Sequence, residues 1–222
     1  MSVRENLLSV KQQLPAGTQL VAVSKFHPID VVMQAYDAGQ RIFGESRAQE
    51  LVVKAPQMPA DIHWHFIGHL QTNKVRQVVP HVSMIESADS VRLLQLINKE
   101  AARIGKTIDV LLQLHVAQEE AKSGFAVEEL LSVLTLGELS GLDNIRIRGL
   151  MAMATLTDDQ AQIDREFALV HDTFSTVKEE FFAHDDAFDQ LSMGMSHDWH
   201  IAVKHGSTLV RIGTAIFGER QY

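Results

Sequence analysis

A lysine ends one of the most apolar segments of this sequence, which reads LVAVSKFHP over residues 20–28. Lys25 follows residue types that favour a buried strand. Burial lowers the pKa of a lysine below about 10.4, which leaves more of the amine unprotonated and able to attack an aldehyde. A lysine at the end of a strand also commonly extends its ammonium group into solvent. Lys25 is therefore a candidate nucleophile, and its neighbours in the fold must decide between these two roles.

Two further segments carry groups that bind anions. In GSTLVRIGTAIFG, residues 206–218, Arg211 and Gly213 lie two apart and so share one face of an extended strand. The turn at Gly213 and Thr214 offers successive N–H groups and a hydroxyl, although a glycine there is also typical of a plain strand end. In LSMGMSHDW, residues 191–199, small and hydroxyl-bearing residues close another short run; they are Ser192, Gly194 and Ser196. Together the two segments predict a phosphate site.

The elements that must position these groups follow from hydrophobic patterning. Short runs rich in apolar residues recur along the chain, and amphipathic helical patterns separate them. The eight runs are Leu20–Lys25, Arg41–Glu45, Ile62–Ile67, Val82–Glu86, Ile108–Val116, Ile145–Met151, Asp189–Met193 and Thr208–Ile212. This alternation predicts an α/β fold, a single (β/α)8 barrel of the TIM type. An extra N-terminal helix is predicted over Val3–Leu14, and we expect it to cover the eighth strand, because the segment after that strand is too short for a full outer helix.

Composition excludes several classes of protein. The chain has 222 residues, 45% of them hydrophobic, and a formal net charge of -8, which suits one domain over residues 1–222 and argues against nucleic acid or an anionic membrane as a partner. It has no cysteine, which excludes disulfides and thiolate chemistry. No apolar stretch approaches the roughly 20 residues that span a bilayer. The first residues lack the apolar core of a signal peptide, so a cytoplasmic location is predicted.

The barrel brings the candidate groups together. Active sites of such barrels lie at the carboxyl ends of the strands, and phosphate groups bind in the loops after strands seven and eight. Lys25 at the end of strand one then faces the same mouth as the predicted phosphate site. A lysine that forms an imine beside a phosphate site describes a pocket for pyridoxal 5'-phosphate.

The order of motifs along nearly the whole chain supports this interpretation. They are VAVSK, FGES, HWHFIGHLQTNK, RGLMAM, LSMGMSHD and STLVRIGTAIFG. In this order they resemble the pyridoxal phosphate homeostasis protein family, whose fold is that of the amino-terminal domain of alanine racemase. The resemblance implies that Lys25 carries the Schiff base and that Arg211 faces the pyridine nitrogen, as an arginine does in alanine racemase. Ser196, Gly213 and Thr214 fall where the family binds the phosphate, and Ser192 and Gly194 complete the predicted cofactor-binding set.

Two parts of the resemblance carry no assigned role. The family usually has an asparagine and a tyrosine after GE, where this chain has Ser46 and Arg47, so contacts near the ring are predicted to differ. Asn73 and Lys74 match family positions near the site, and nothing in the sequence says what they do.

Eleven histidines raise a second interpretation, a metal-dependent hydrolase. The HWH motif places His63 and His65 on one face of a strand, and HDWH at 197–200 has helical i, i+3 spacing. No carboxylates at other strand ends complete a ligand set, so we predict no metal and favour hydrogen-bonded or exposed histidines. The methionines at 151, 153, 193 and 195 are predicted to fill barrel layers rather than to touch a cofactor.

Arg211 also bears on whether the protein is an enzyme. Pyridoxal phosphate stabilises a carbanion best when its ring nitrogen is protonated, whereas an arginine only donates a hydrogen bond there. Racemisation needs a second base, which a further domain of a partner subunit supplies in alanine racemase, and the sequence to Tyr222 is not expected to include that domain. The resemblance therefore predicts a cofactor carrier or buffer that affects amino-acid and keto-acid balance with little or no catalysis. A weak amino-acid racemase is the alternative, pyridoxal phosphate-dependent apoenzymes are the implied recipients, and the resemblance favours a monomer.

Overall fold

Eight parallel strands close into one barrel in chain order, with the last strand pairing to the first. The computed structural model describes residues 2–118 and 123–219. The strands are β1 Gln19–Val23, β2 Ile42–Glu45, β3 His63–Phe66, β4 Met84–Ala88, β5 Ile108–Gln113, β6 Ile145–Met151, β7 Gln190–Ser192 and β8 Leu209–Ile212. The predicted (β/α)8 barrel is confirmed.

Helices surround the barrel. They are α1 Val3–Gln13, α2 Ile29–Asp37, α3 Ala48–Lys54, α4 Val75–Val78, α5 Val91–Arg103, α6 Val127–Thr135, α7 Gln160–Phe181, α8 Trp199–Ala202 and α9 Thr214–Phe217. The two longest have side-chain caps, since the Ser90 hydroxyl accepts from the Leu93 N–H before α5 and the Asp159 carboxylate accepts from two N–H groups of α7. Over the described ranges, no helix is long and apolar enough to cross a membrane.

The N-terminal helix α1 takes the position that the sequence predicts for it. It packs against α9 and α2. The Asn6 side-chain amide donates to the Ile216 carbonyl oxygen at 3.0 Å, which ties α1 to the short helix after β8. A capping box between Ser2 and Glu5 sets its first turn. Helix α1 thus covers the part of the barrel where the final helix has only four residues.

The inside of the barrel contains a buried apolar layer. Its residues come from five different strands and are Val21, Met84, Leu111, Met151 and Leu209. Because side chains of a strand alternate between its two faces, the inward residue two positions further along β1, β5 and β8 lies nearer the carboxyl mouth. Those residues line the cavity described below; they are Val23, Gln113 and Arg211.

Two strands end two or more residues earlier than the sequence predicts. Strand β1 ends at Val23 rather than Lys25, because the chain turns at Ser24, whose carbonyl oxygen accepts from the His27 N–H at 3.2 Å. Strand β5 ends at Gln113 rather than Val116. There the Gln113 carbonyl oxygen accepts from the Phe125 N–H at 2.8 Å. The segment at Phe125 thus makes the backbone hydrogen bond that a neighbouring strand would otherwise make.

A bulge in β6 depends on a glycine. The pairing with β5 shifts from Val110 opposite Ile147 to Leu111 opposite Gly149, so β6 holds one extra residue. Gly149 has φ +149, and a Cβ atom there would lie 1.7 Å from the Gln190 carbonyl oxygen of β7. The close approach of β6 to β7 therefore requires glycine.

We predict that Gly149→Ala lowers the free energy of unfolding by at least about 3 kcal/mol, because backbone atoms of β7 must move to admit the methyl group. Gly105→Ala is the matched control, since Gly105 has φ +64 but nothing within 4 Å of an added Cβ. Its cost is about 1 kcal/mol, that of the left-handed backbone alone. Urea unfolding followed by circular dichroism measures both, and equal losses would contradict the role assigned to Gly149.

Candidate functional site

A cavity of about 480 Å³ opens at the carboxyl mouth of the barrel. Five of the predicted site residues line it together; they are Lys25, Ser196, Arg211, Gly213 and Thr214. They come from the segments after β1 and β7 and from the end of β8, which are neighbours in the closed barrel. The structure thus brings the candidate nucleophile and the predicted phosphate site into one cavity.

Lys25 lies in a turn between β1 and α2 and is half-buried. The turn is closed by the hydrogen bond from His27 N–H to the Ser24 carbonyl oxygen. The next residue, Phe26, has φ +67, a left-handed conformation that is uncommon for a side chain with a Cβ atom. The turn carries Lys25 to the cavity at the strand end, as the sequence predicts, but from two residues beyond β1.

Gly213 connects β8 to α9 at the edge of the cavity. A Cβ atom there would lie 3.0 Å from the Val23 carbonyl oxygen and 3.2 Å from the Val23 Cβ atom. Its carbonyl oxygen accepts from the N–H groups of Ile216 and Phe217, which starts α9. The glycine therefore lets this corner lie directly against β1, beside the half-buried Ser196 and the exposed Thr214.

Ser192 and Gly194, in contrast, lie outside the cavity lining. Ser192 is completely buried, and its hydroxyl donates to Glu86 Oε2 at 2.6 Å and accepts from Arg211 Nη1. The Gly194 carbonyl oxygen accepts from the Arg211 N–H at 2.9 Å. Gly194 has φ +93, and a Cβ atom there would lie 2.8 Å from the Trp199 Cα atom. Both residues therefore hold Arg211 and the β7 corner in place from below.

Arg211 belongs to a buried polar chain that crosses the barrel. Its Nη2 donates to the Ala152 carbonyl oxygen at 2.9 Å, and its Nη1 lies 3.7 Å from Glu86 Oε2. The other oxygen of Glu86 is 2.7 Å from His65 Nδ1. Every one of these side chains is buried. These contacts hold the guanidinium in the cavity wall.

The charged side chains of this buried hydrogen-bonded group compensate one another. Burial by itself raises the pKa of Glu86, but the hydrogen bond and charge of His65, the charge of Arg211 and the Ser192 hydroxyl outweigh it, and the pKa lies below its usual value of 4.5. Burial lowers the pKa of Arg211 below its usual value, although Glu86 opposes that shift. A carboxylate and a guanidinium therefore face each other at neutral pH, and Arg211 can only donate.

Sequence reasoning missed Glu86. The signal is an acidic residue inside the apolar run Val82–Glu86, a position that demands a buried partner. His65 gives the same signal on β3. Glu86 lies in none of the motifs, and the HWH motif directs attention to a metal rather than to a carboxylate partner. Only the closed barrel shows that Glu86 joins His65 to Arg211 of β8.

The histidines are spread over different environments. His65 bonds to Glu86, whereas His63 at the start of β3 is exposed. His197 precedes α8 and lines the cavity, and His200 lies within that helix. Among residues 2–118 and 123–219, no three His, Asp or Glu side chains are grouped to hold a metal ion.

The prediction for the methionines is wrong for two of the four. Met151 and Met193 are completely buried, as predicted. Met153 and Met195 line the cavity, and Met153 is 40% exposed. They differ because Met153 lies two residues beyond the end of β6 and Met195 three residues beyond the end of β7, where the chain has left the barrel wall.

The four residues without an assigned role lie around the mouth. Ser46 lines the cavity. Arg47 is exposed, and its guanidinium carbon lies 4.9 Å from the centroid of the Phe26 ring. Asn73 and Lys74 lie in a short 3-10 helix, and neither belongs to the lining of the main cavity.

The closed eight-stranded barrel is of the alanine racemase amino-terminal type. The family model described as "Alanine racemase, N-terminal domain" matches residues 1–221. Alanine racemase of Clostridium difficile 630 has this fold, with a TM-score of 0.78 at 17% identity, and the match covers 100% of this chain and 56% of that one.

More similar proteins define the family. The pyridoxal phosphate homeostasis protein of Pasteurella multocida is 36% identical over 235 residues, which cover 100% of this chain and 99% of that protein. PipY of Synechococcus elongatus PCC7942, solved with PLP bound, is 37% identical with a TM-score of 0.88, and the match covers 98% of this chain and 100% of that one. The chain belongs to the pyridoxal phosphate homeostasis protein family.

We predict that Glu86→Gln lowers the free energy of unfolding at pH 7 by about 3 kcal/mol, because Arg211 and His65 lose the buried carboxylate that compensates them. Since the folded-state pKa of Glu86 is lowered, its contribution is complete above pH 4.5 and is lost as the pH falls through the folded-state pKa. The difference between parent and variant should therefore shrink below pH 4.5. Urea unfolding at a series of pH values measures it.

Glu100→Gln is the control for this prediction, because Glu100 forms a surface ion pair with Arg103 on α5. Such a pair contributes less than about 1 kcal/mol. A Glu86 variant as stable at pH 7 as the Glu100 variant would show that the buried chain does not depend on its carboxylate.

Proposed function

We propose that this protein binds pyridoxal 5'-phosphate, with Lys25 forming a Schiff base to the aldehyde. One observation carries the proposal: Lys25 and the β7 and β8 corners, predicted separately from the sequence, line the same cavity. The PLP-bound structure of PipY, a protein 37% identical to this chain, supports the choice of ligand.

The cavity suits this ligand in size and chemistry. A volume of about 480 Å³ lies within the range of roughly 300–1,000 Å³ that is typical of small-molecule sites. Ser196, Gly213 and Thr214 are assigned to the phosphate, since hydroxyls and an unobstructed backbone lie together there. Gly213 lies directly against Val23, and a side chain there would have to displace the corner that carries these groups. Ser192 and Gly194 support this site from beneath it.

Arg211 is assigned to the pyridine nitrogen. Bound pyridoxal phosphate supplies an aldehyde for amines and a ring that withdraws electrons most strongly when its nitrogen is protonated. A guanidinium held by Glu86, Ser192 and Ala152 has no proton acceptor to offer, so it leaves the ring nitrogen unprotonated. The chain therefore binds and orients the cofactor without enhancing its carbanion chemistry.

These properties favour a carrier or buffer over an enzyme. We propose that the protein holds pyridoxal phosphate in the cytoplasm, with little or no catalysis of its own, and so affects amino-acid and keto-acid balance. Pyridoxal phosphate-dependent apoenzymes are the proposed recipients, and the proposed unit is a monomer. The name shared by its relatives, pyridoxal phosphate homeostasis protein, supports this role.

We predict that Lys25→Ala abolishes the absorption band of the imine between the protein and pyridoxal phosphate, because no other amine is assigned to the aldehyde. Borohydride reduction followed by peptide mass spectrometry should map the cofactor of the parent protein to Lys25. Lys74→Ala is the control, since Lys74 lies near the mouth but outside the cavity lining. An adduct on Lys74, or an unchanged spectrum of the Lys25 variant, would overturn the assignment.

We predict that Gly213→Val weakens binding of pyridoxal phosphate more than Ser196→Ala does. The valine side chain would clash with Val23 and displace the backbone that is assigned to the phosphate, whereas loss of one hydroxyl hydrogen bond to a charged group costs about 1.5 to 3 kcal/mol. Titration with pyridoxal, which lacks the phosphate, is the control and should show little effect of either change. The phosphate assignment is wrong if pyridoxal binds the parent protein as tightly as its phosphate ester.

A further inference from the structure

A second buried polar cluster lies on the outer face of the barrel wall, under the turn that carries Lys25. Lys54 of α3 is its centre, and its Nζ lies 2.7 Å from Glu45 Oε1 and 3.1 Å from Glu50 Oε2. The Lys54 side chain is 7% exposed and that of Glu45 is completely buried. The cavity lining includes none of the three residues.

The cluster holds the residue before Lys25 by two hydrogen bonds. Lys54 Nζ donates to the Ser24 carbonyl oxygen at 2.8 Å, and the Ser24 hydroxyl donates to Glu45 Oε1 at 2.7 Å. The carbonyl oxygen of Ser24 also closes the turn by accepting from the His27 N–H. The start of the turn is therefore fixed to β2 and α3.

The cluster also holds the residue after Lys25. The Phe26 N–H donates to Glu50 Oε2 at 2.7 Å, and this oxygen is the one that Lys54 contacts. Phe26 has φ +67, which a non-glycine residue keeps only when its surroundings impose it. Arg47 adds to the constraint, since it lies over the Phe26 ring and pairs with Glu50 at 3.5 Å.

Stability alone gives little reason for this arrangement. A buried ion pair is often no more stabilising than apolar residues of the same volume, because the charges lose their hydration. Burial indeed raises the pKa of Glu45 in spite of Lys54. In the described part of the chain, the second oxygen of Glu45 has no hydrogen-bond partner. What the cluster achieves is geometric, since its hydrogen bonds converge on the two residues that flank Lys25.

We infer that Lys54, Glu45 and Glu50 are positioning residues, which fix the direction in which Lys25 enters the cavity. The inference rests on the proposed function, because it assumes that Lys25 reacts with the aldehyde of the ligand. None of the three touches the ligand. They act through the backbone of Ser24 and Phe26, so their loss should impair the reaction of Lys25 and leave the phosphate site intact.

Two ligands separate these effects. Pyridoxal phosphate reacts with Lys25, whereas pyridoxine 5'-phosphate has an alcohol in place of the aldehyde and reports only on the rest of the site. We expect Lys54→Met to weaken the binding of pyridoxal phosphate about tenfold or more, because a small displacement of a reacting group has a large effect. Binding of pyridoxine 5'-phosphate should change less than about twofold, because this ligand does not react with Lys25 and so does not depend on the position of its amine. Absorbance titration measures the first ligand and calorimetry the second.

Lys178→Met is the matched control. Lys178 Nζ also donates to a backbone carbonyl oxygen, that of Phe188, at 2.8 Å. It joins α7 to the segment before β7, away from the turn. This variant should bind both ligands as the parent protein does.

If Lys54→Met does not fold, a second pair of variants tests whether the cluster positions Lys25. Glu50→Ala removes the acceptor for the Phe26 N–H, whereas Glu50→Gln keeps an oxygen in its place. We expect Glu50→Ala to lose the reaction with pyridoxal phosphate and Glu50→Gln to recover most of it. The inference is overturned if the Ala variant reacts as the parent does, or if either variant series loses both ligands in parallel. A parent protein that forms no adduct on Lys25 would instead overturn the proposed function.

Discussion

The compensation of one buried guanidinium is the interaction on which the mouth of this barrel depends. Arg211 lies inside a closed sheet, where an uncompensated charge costs several kcal/mol. Its partner comes from β4, across the barrel, through Glu86. Ser192 of β7 and His65 of β3 form hydrogen bonds to Glu86. Three other strands therefore contribute to holding one side chain of β8, and the relative positions of these strands set the shape of the cavity.

The barrel wall has a polar cluster on each side, and each cluster supports a different residue of the cavity lining. The inner one fixes Arg211 from within the barrel. The outer one fixes the turn around Lys25 from beneath α3. Each group that faces the cavity is thus held by partners that do not face it. Such support keeps reactive side chains in one orientation while leaving the cavity itself to the ligand.

Much of this arrangement is predictable from the sequence. Hydrophobic periodicity predicts the eight strands, and the rule that strand ends meet at one mouth predicts that Lys25 and Arg211 share a cavity. The residues at which strands end are harder to predict, because local hydrogen bonds at Ser24 and Gln113 terminate β1 and β5 early. Met153 and Met195 were placed wrongly for another reason, because they follow the ends of β6 and β7 and lie in the cavity lining.

Long-range pairing explains what sequence reasoning missed. Glu86 and His65 lie 21 residues apart and act together with a residue of the last strand. Lys54 follows Glu45 by nine residues, but its link to Ser24 spans 30 residues and depends on the side of α3 that faces the barrel. Periodicity gives the buried face of such an element, whereas the identity of its polar partner depends on the packed structure.

The pairing of β1 with β8 has a consequence for how this protein acquires its site. Leu20 pairs with Val210 and Ala22 with Ile212, so the barrel closes through contacts between residues about 190 positions apart. Contacts of such separation form late in folding, because a long loop must be ordered before they contribute. Lys25 lies on one side of this seam and Arg211 on the other. In an unclosed sheet the two residues would stand at opposite edges, and the ligand cavity would not exist. A ligand that needs both sides of the seam can bind only the completed barrel, and its binding then opposes reopening.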